Sequence, residues 1–249
     1  MRIYAIGDIH GHVEKLDAAH QAILQDRERN GDWTAPVVHL GDLVDRGPDS
    51  KSVIEYLMAG IAEGAPWIVL KGNHDRMFVD FIECDDEEPR LFRGMSYLHD
   101  TLGGRTTLES YGVTGGLLSR ERTLQSKAVE AVPQSHIDFL DARPLFFRFG
   151  EILFVHAGIR PGVPLEDQVE EDLLWIRGPF LDDPGDHGAL IVHGHTPVDE
   201  IEHWGNRVAL DTGAAFGGPL VPAVFEDGEL FALTEYGRSP IRAGSARPG

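Results

Sequence analysis

Met1-Arg2-Ile3-Tyr4-Ala5-Ile6-Gly7-Asp8-Ile9-His10-Gly11 opens the chain. An apolar run, Ile3 to Ile6, ends on a glycine, and two side chains able to bind metal follow at once. The pattern returns four more times. Val37 to Leu40 leads into Gly41-Asp42, and Trp67 to Leu70 leads into Gly72-Asn73-His74-Asp75. Ile152 to Val155 leads into His156, and Leu190 to Val192 into His193-Gly194-His195. Short runs with few polar interruptions are what strands covered on both faces require. Between them, Val13 to Arg29 and Ser50 to Ala62 read as helices, the second preceded by the cap-like Pro48-Asp49. Strand alternating with helix predicts the α/β class. Ligands of open α/β sheets gather at the carboxyl ends of strands, so five polar strand ends predict one site there.

The chain has 249 residues, 42% of them hydrophobic, enough for a full core in one large or two small domains. No apolar run reaches eighteen residues, so no membrane span is expected, and the first residues lack the features of an export signal. Cys84 is the only cysteine, which excludes an internal disulfide and a thiolate metal cage. A reducing, cytoplasmic setting is expected. The formal charge of −19 argues against nucleic-acid binding, where Lys and Arg must neutralise phosphates. It also repels phosphorylated substrates at a distance, so metal cations and arginines would have to overcome it locally.

Residues 1–238 read as one domain. The stretch from 83 to 132 starts with the acidic run Glu83 to Glu88 and continues as a mostly helical insertion, broken near Gly103-Gly104, that would flank the site. The tail 239–249, rich in Pro, Gly, Ser and Ala, is expected to be disordered.

Asp8-X-His10 would place both side chains on one side of an extended segment. Asp42 and Asn73 add oxygen donors, and His156 and His195 add nitrogens. Two Asp, one Asn and three His, without sulfur, suit Mn, Fe or Zn. Six ligands exceed the needs of one catalytic ion with an open position. Two ions sharing one carboxylate, roughly 3.5–4 Å apart, would use them and could share a hydroxide as nucleophile.

Gly7-Asp8-Ile9-His10-Gly11, Gly41-Asp42-Leu43-Val44-Asp45-Arg46-Gly47 and Gly72-Asn73-His74-Asp75 resemble the three signature blocks of the phosphoprotein phosphatase family of calcineurin-like metallophosphoesterases. His156-Ala157-Gly158 and His193-Gly194-His195-Thr196-Pro197 resemble its two downstream histidine blocks, in the same order. Gly103-Gly104, Thr107 to Gly112, Leu173 to Arg177 and Asp211-Thr212-Gly213 are similar to accessory blocks of the bacterial and bacteriophage branch. The resemblance implies an α/β fold with two central mixed sheets sandwiched between helices. It implies two divalent ions, manganese first with iron or zinc as alternatives. Asp8 and His10 would hold one ion, Asp42 would bridge, and Asn73, His156 and His195 would hold the other. It makes His74 the general acid, Asp45 its orienting partner, and Arg46 and Arg177 phosphate clamps beside Asn73. One-step hydrolysis of phosphoprotein Ser or Thr, with phosphotyrosine as a further substrate, is the activity implied first. Hydrolysis of dinucleoside tetraphosphates is the alternative, and similar sequences with that activity usually carry a small residue at the position of Asp45. A binding module that has lost catalysis is the third reading, and it would be expected to lack part of this set. Asp75 stands where eukaryotic members commonly have Glu.

Other polar residues have plainer readings. His193 precedes a ligand in a strand and reads as a buried core histidine. His12, His99, His136, His187 and His203 read as surface residues. Arg160 competes with Arg177 for the clamp position, and Asp211 is either a support for a ligand or a turn cap.

Overall fold

The computed structural model describes residues 1–84, 91–92, 94–116 and 119–244. Residues 85–88 of the acidic run and 245–249 of the tail lie outside them. In chain order the first elements are β1 (Arg2–Ile6), α1 (Val13–Asn30), β2 (Val37–His39), α2 (Ser50–Ala62), β3 (Trp67–Val69) and α3 (Asn73–Glu83). There follow β4 (Leu91–Phe92), β5 (Met95–Ser96), α4 (Gly104–Ser110), α5 (Glu121–Ala131), α6 (Gln134–Asp141), β6 (Phe146–Phe149) and β7 (Ile152–Val155). The last are α7 (Glu170–Trp175), α8 (Gly178–Leu181), β8 (Leu190–His193), β9 (Glu202–His203), β10 (Arg207–Ala209), β11 (Ala223–Glu226), β12 (Glu229–Thr234) and β13 (Gly237–Ile241).

Two mixed sheets form, in the orders β13-β12-β11-β1-β2-β3 and β6-β7-β8-β10-β9. β1, β2 and β3 are parallel, as are β7, β8 and β10, while the outer pairings are antiparallel. The sheets pack face to face. Ile3, Ala5, Val38 and Leu40 of the first meet Phe154, Val192 and Val208 of the second in one buried cluster. The alternate residues Tyr4, Ile6 and Val37 turn to the other side and pack with Leu16, Val53 and Ile54 of α1 and α2. Leu153, Val155 and Ile191 pack with Leu173 and Phe180 of α7 and α8. Each central strand is therefore buried on both faces, which is why its sequence reads as an unbroken apolar run. Truncating Phe154 at this interface would cost about 3–5 kcal/mol.

The stretch from 95 onward carries α4 and α5, and Tyr97, Leu108, Leu124 and Ala128 share one core cluster with Leu16 and Ile54. Two expectations need correction. The tail is ordered through residue 241 as β13, paired antiparallel with β12. Arg238 anchors it through Asp26 and Glu226, and Pro240 is tolerated because β13 is the sheet edge. His136 is buried, its Nδ1 2.8 Å from the Tyr111 hydroxyl, not a surface residue. No described helix is long and apolar enough to cross a membrane.

Candidate metal centre

The six proposed ligands follow the carboxyl ends of five parallel strands, four of the ligands in the first sheet and two in the second. The loops interlock before any side chain is considered. His10 N donates to Asp42 O at 2.8 Å, Gly11 N to Leu43 O at 2.9 Å, and Gly194 N to His156 O at 2.8 Å. The Asn73 loop approaches Asp42 so closely that a β-carbon at Gly72 would fall 2.1 Å from Asp42 N. Among the described residues six non-glycine residues have positive φ, and five of them are site residues: His10, Asp42, Asp45, Arg46 and His195. Such backbone costs on the order of 1–3 kcal/mol per residue and persists only where surroundings enforce it. The two-residue spacing of Asp8 and His10 therefore works differently from the expectation. β1 stops at Ile6 and His10 sits at φ 47°, so a loop, not strand alternation, brings the pair together.

The structure buries the expected set, and Asp42 joins two groups of close ligand atoms. Asp8, His10, Asp42, Asn73, His156 and His195 are all at most 7% exposed. Ligand atoms of His10, Asp42 and His74 lie within 4.8 Å of one another, and so do those of Asp42, His156 and His195. Asp42 belongs to both groups, its Oδ2 3.4 Å from His10 Nε2 and its Oδ1 3.4 Å from His156 Nε2. Asp8 accepts from His195 N at 3.0 and 3.2 Å.

The donor chemistry fits cations. His10 Nδ1 donates to Val44 O at 2.8 Å and His156 Nδ1 to Leu40 O at 2.9 Å, which leaves both Nε2 atoms as lone-pair donors. His156 Nε2 then meets Asn73 Oδ1 at 2.9 Å, two acceptors with no proton between them. Protonating His156 would relieve this, but burial pushes its pKa down. A cation touching both atoms relieves it without that cost. His195 Nε2 is buried with no hydrogen-bond partner among the described residues, a group that costs free energy unless a ligand takes it.

Charge within the site is unbalanced. Burial, then Asp211 and Asp42, raises the Asp8 carboxyl well above its ordinary value. Burial and Asp42 raise Asp75 to about 7 and, with a similar pattern, Asp211 to about 6. Burial would also raise Asp42, but His156, His74, His10 and His195 together hold it far below normal. Burial lowers His10 strongly and lowers His195 to about 2, where His156 and Arg177 add to the effect. The centre thus combines neutral imidazoles with crowded carboxylates, which is what added positive charge would stabilise.

Beside this cluster, His74 Nδ1 donates to Asp45 Oδ2 at 2.7 Å. Asp45 is fully buried, and its other oxygen accepts from Tyr97 OH at 2.5 Å and Thr107 Oγ1 at 2.7 Å. Its backbone N–H is held by Ser50 and Thr107. Arg46 forks between His10 Nε2 at 3.0 Å and His74 Nε2 at 3.1 Å. Arg177 donates to His195 O at 3.0 Å, whereas the exposed Arg160 is committed to Asp172. Asp75 ties the Asp42 and Asn73 loops together through Leu43 N and Gly72 N, each at 2.8 Å. Asp211 accepts from Gly213 N at 3.1 Å, as a turn cap does, and its charge acts on Asp8. His193 is fully buried, as expected, with Nδ1 donating to Gly194 O. The sequence reading missed Tyr97 as a holder of Asp45, and no local signal marked it.

A family description, calcineurin-like phosphoesterase, matches residues 1–225. The chain belongs to that family. It is a hydrolase of phosphoric ester bonds; the family uses a dimetal centre, and this chain brings together His and Asp groups that could hold metal. This phosphoesterase is 27% identical to a protein of Oceanobacillus iheyensis named asymmetrical bis(5'-nucleosyl)-tetraphosphatase PrpE, over 98% of the chain and 95% of the relative. It is 30% identical to the protein of the same name from Anoxybacillus flavithermus, over 92% of each. Its fold matches that of the cold-active protein-tyrosine phosphatase of a psychrophilic Shewanella, with a TM-score of 0.60 at 14% identity over 97% of this chain and 80% of that one.

Proposed function

We propose that this phosphoesterase hydrolyses dinucleoside tetraphosphates. This reverses the order of the two substrates implied by the motifs alone. The observation that carries it is the likeness to tetraphosphatases along more than nine tenths of both chains. Asp8, His10, Asp42, Asn73, His156 and His195 would hold two divalent cations, manganese first, which supply Lewis acidity and a water activated near neutral pH. Arg46, released from His10 and His74, would grip phosphate oxygens in a bidentate fashion, and Arg177 would take a second position beside His195. His74, oriented by Asp45, would protonate the departing oxygen.

The test is direct competition at equal concentration between diadenosine tetraphosphate and a phosphoserine peptide. Faster cleavage of the tetraphosphate by at least tenfold is expected, and a preference for the peptide sinks the reading.

The second reading, a phosphoprotein phosphatase, is favoured by the His74–Asp45 pair, held at 2.7 Å. A serine alkoxide leaves only when protonated, whereas a phosphate leaves readily without help. His74→Asn should therefore depress alkyl phosphate cleavage far more than tetraphosphate cleavage. Equal losses would count against the acid role.

A further inference from the structure

Phe216 is 67% exposed, yet the backbone around it is tied down by several hydrogen bonds. It ends a single turn, Ala214–Phe216, set between Gly213 and Gly217, which have φ of 76° and 88°. Lys15 reaches from α1 and donates from Nζ to the carbonyls of Ala214 and Gly218, each at 2.8 Å. Phe216 N and Gly218 N both donate to Gly213 O at 2.9 Å. Thr212 Oγ1 closes the base of the loop on Pro219 O at 2.8 Å. The Phe216 ring lies 5.1 Å from the guanidinium carbon of Arg46, the residue that touches both His10 and His74.

Isolated exposed apolar side chains are common and need no explanation. Phe216 differs in two respects: its backbone is pinned by a lysine from another element, and its ring adjoins the arginine at the centre. We propose that Phe216 is the platform on which a nucleobase of the substrate stacks. The proposal rests on the dinucleoside tetraphosphate reading above. An uncharged contact is the kind this chain needs, because its charge of −19 repels a polyphosphate. Stacking on an aromatic ring is tolerant of base identity and worth about tenfold or more in affinity per base. The ring of a phosphotyrosine has the same flat chemistry, so the experiment must separate the two.

The metal-loaded enzyme and its Phe216→Ala and Phe216→Trp variants are titrated by calorimetry with three ligands. These are a methylene-bridged, non-hydrolysable adenosine triphosphate, inorganic tripolyphosphate and phenyl phosphonate. The wild type should bind the adenosine ligand at least tenfold more tightly than tripolyphosphate. Phe216→Ala should bring that ratio near one, and Phe216→Trp should keep it. A ratio near one in the wild type, or one that survives in Phe216→Ala, overturns the proposal. So does a loss on phenyl phosphonate as large as that on the adenosine ligand, which would assign the platform to phosphotyrosine. The two readings fail separately. An enzyme that shows the adenosine ratio but prefers a phosphopeptide in turnover sinks the substrate reading alone. One that prefers the tetraphosphate while the ratio ignores Phe216 sinks the platform alone.

Discussion

Two clusters of charge, one part-buried and one buried, lie at opposite ends of the first sheet, and they are built on opposite plans. At the amino end of β1, Arg2 pairs with Glu226, and Arg238 joins Glu226 to Asp26, which also accepts from the Tyr4 hydroxyl at 2.9 Å. Burial alone would raise Asp26, but its bonds to Arg238 and Tyr4 lower it, and Arg2 and Arg238 lower Glu226. At the carboxyl end, Asp8, Asp75 and Asp211 are all raised. The arginine nearest to them spends its donors on two histidines. A structural cluster neutralises its charge with its own side chains. A binding centre leaves the balance to a ligand, and its strained backbone at His10, Asp42, Asp45, Arg46 and His195 is held ready for one.

The contrast breaks most visibly at Asp42. Asp42→Asn should lower kcat/KM on an aryl phosphate by on the order of 10³-fold and reduce bound metal measured by mass spectrometry. Full metal content in this variant would refute the shared-ligand assignment. At the other end, Arg238→Ala should do the reverse. Leaving Asp26 without its partner should cost about 3 kcal/mol in urea unfolding while changing kcat/KM by less than about twofold. The sign with pH follows. The folded carboxyl of Asp26 lies below its unfolded value of 3.8, so its contribution is present above that pH and lost as pH falls through the folded value. Arg238→Ala should flatten this acid limb, and an unchanged limb would remove Asp26 from the account.

Smaller effects sharpen the comparison. Tyr97→Phe removes one donor from Asp45 and should slow alkyl phosphate hydrolysis by about tenfold, a charge-assisted hydrogen bond being worth about 1.5–3 kcal/mol. Tripolyphosphate affinity should hold, since Tyr97 acts through Asp45 and His74. A uniform loss on all substrates would mean that it merely supports the core. Smallest is a buried pair outside both clusters. His20 Nε2 lies 3.0 Å from His39 Nε2, and the His20 ring is 4.2 Å from that of Trp67. Burial lowers His20 to about 4. Below 6.5 the unfolded chain takes up a proton that the fold refuses, so stability declines as pH drops toward 4. His20→Phe should reduce the loss between pH 7 and 5.5 by about 1 kcal/mol, read by thermal unfolding of the metal-loaded protein. An identical slope would show that the His20 proton is not excluded.

Much of this was legible early because it is local. A strand buried on both faces must be apolar throughout, so Ile152–Val155 falls where the sequence places it, and the Asp49 cap starts the helix Ser50–Ala62 where the sequence places that. The ligands stand in sequence beside the strand ends that carry them. Substrate order was not legible in this way. Asp45 drew the reading toward phosphoproteins, whereas the full-length likeness to tetraphosphatases points elsewhere.

By itself, then, the sequence determined the α/β class, the five central strands and the residues that converge at their ends. These follow from burial patterns and turn chemistry within a few residues of each position. Only the tertiary structure decided that Tyr97 and Thr107 hold Asp45, that residues 237–241 close the sheet edge, and that Phe216 lies against Arg46. The contacts of Asp45 and Phe216 join residues dozens to well over a hundred positions apart, and β13 is fastened through Arg238 to Asp26, 212 positions away. Their free energy comes from packing two sheets and their helices together, and no stretch of chain encodes that alone.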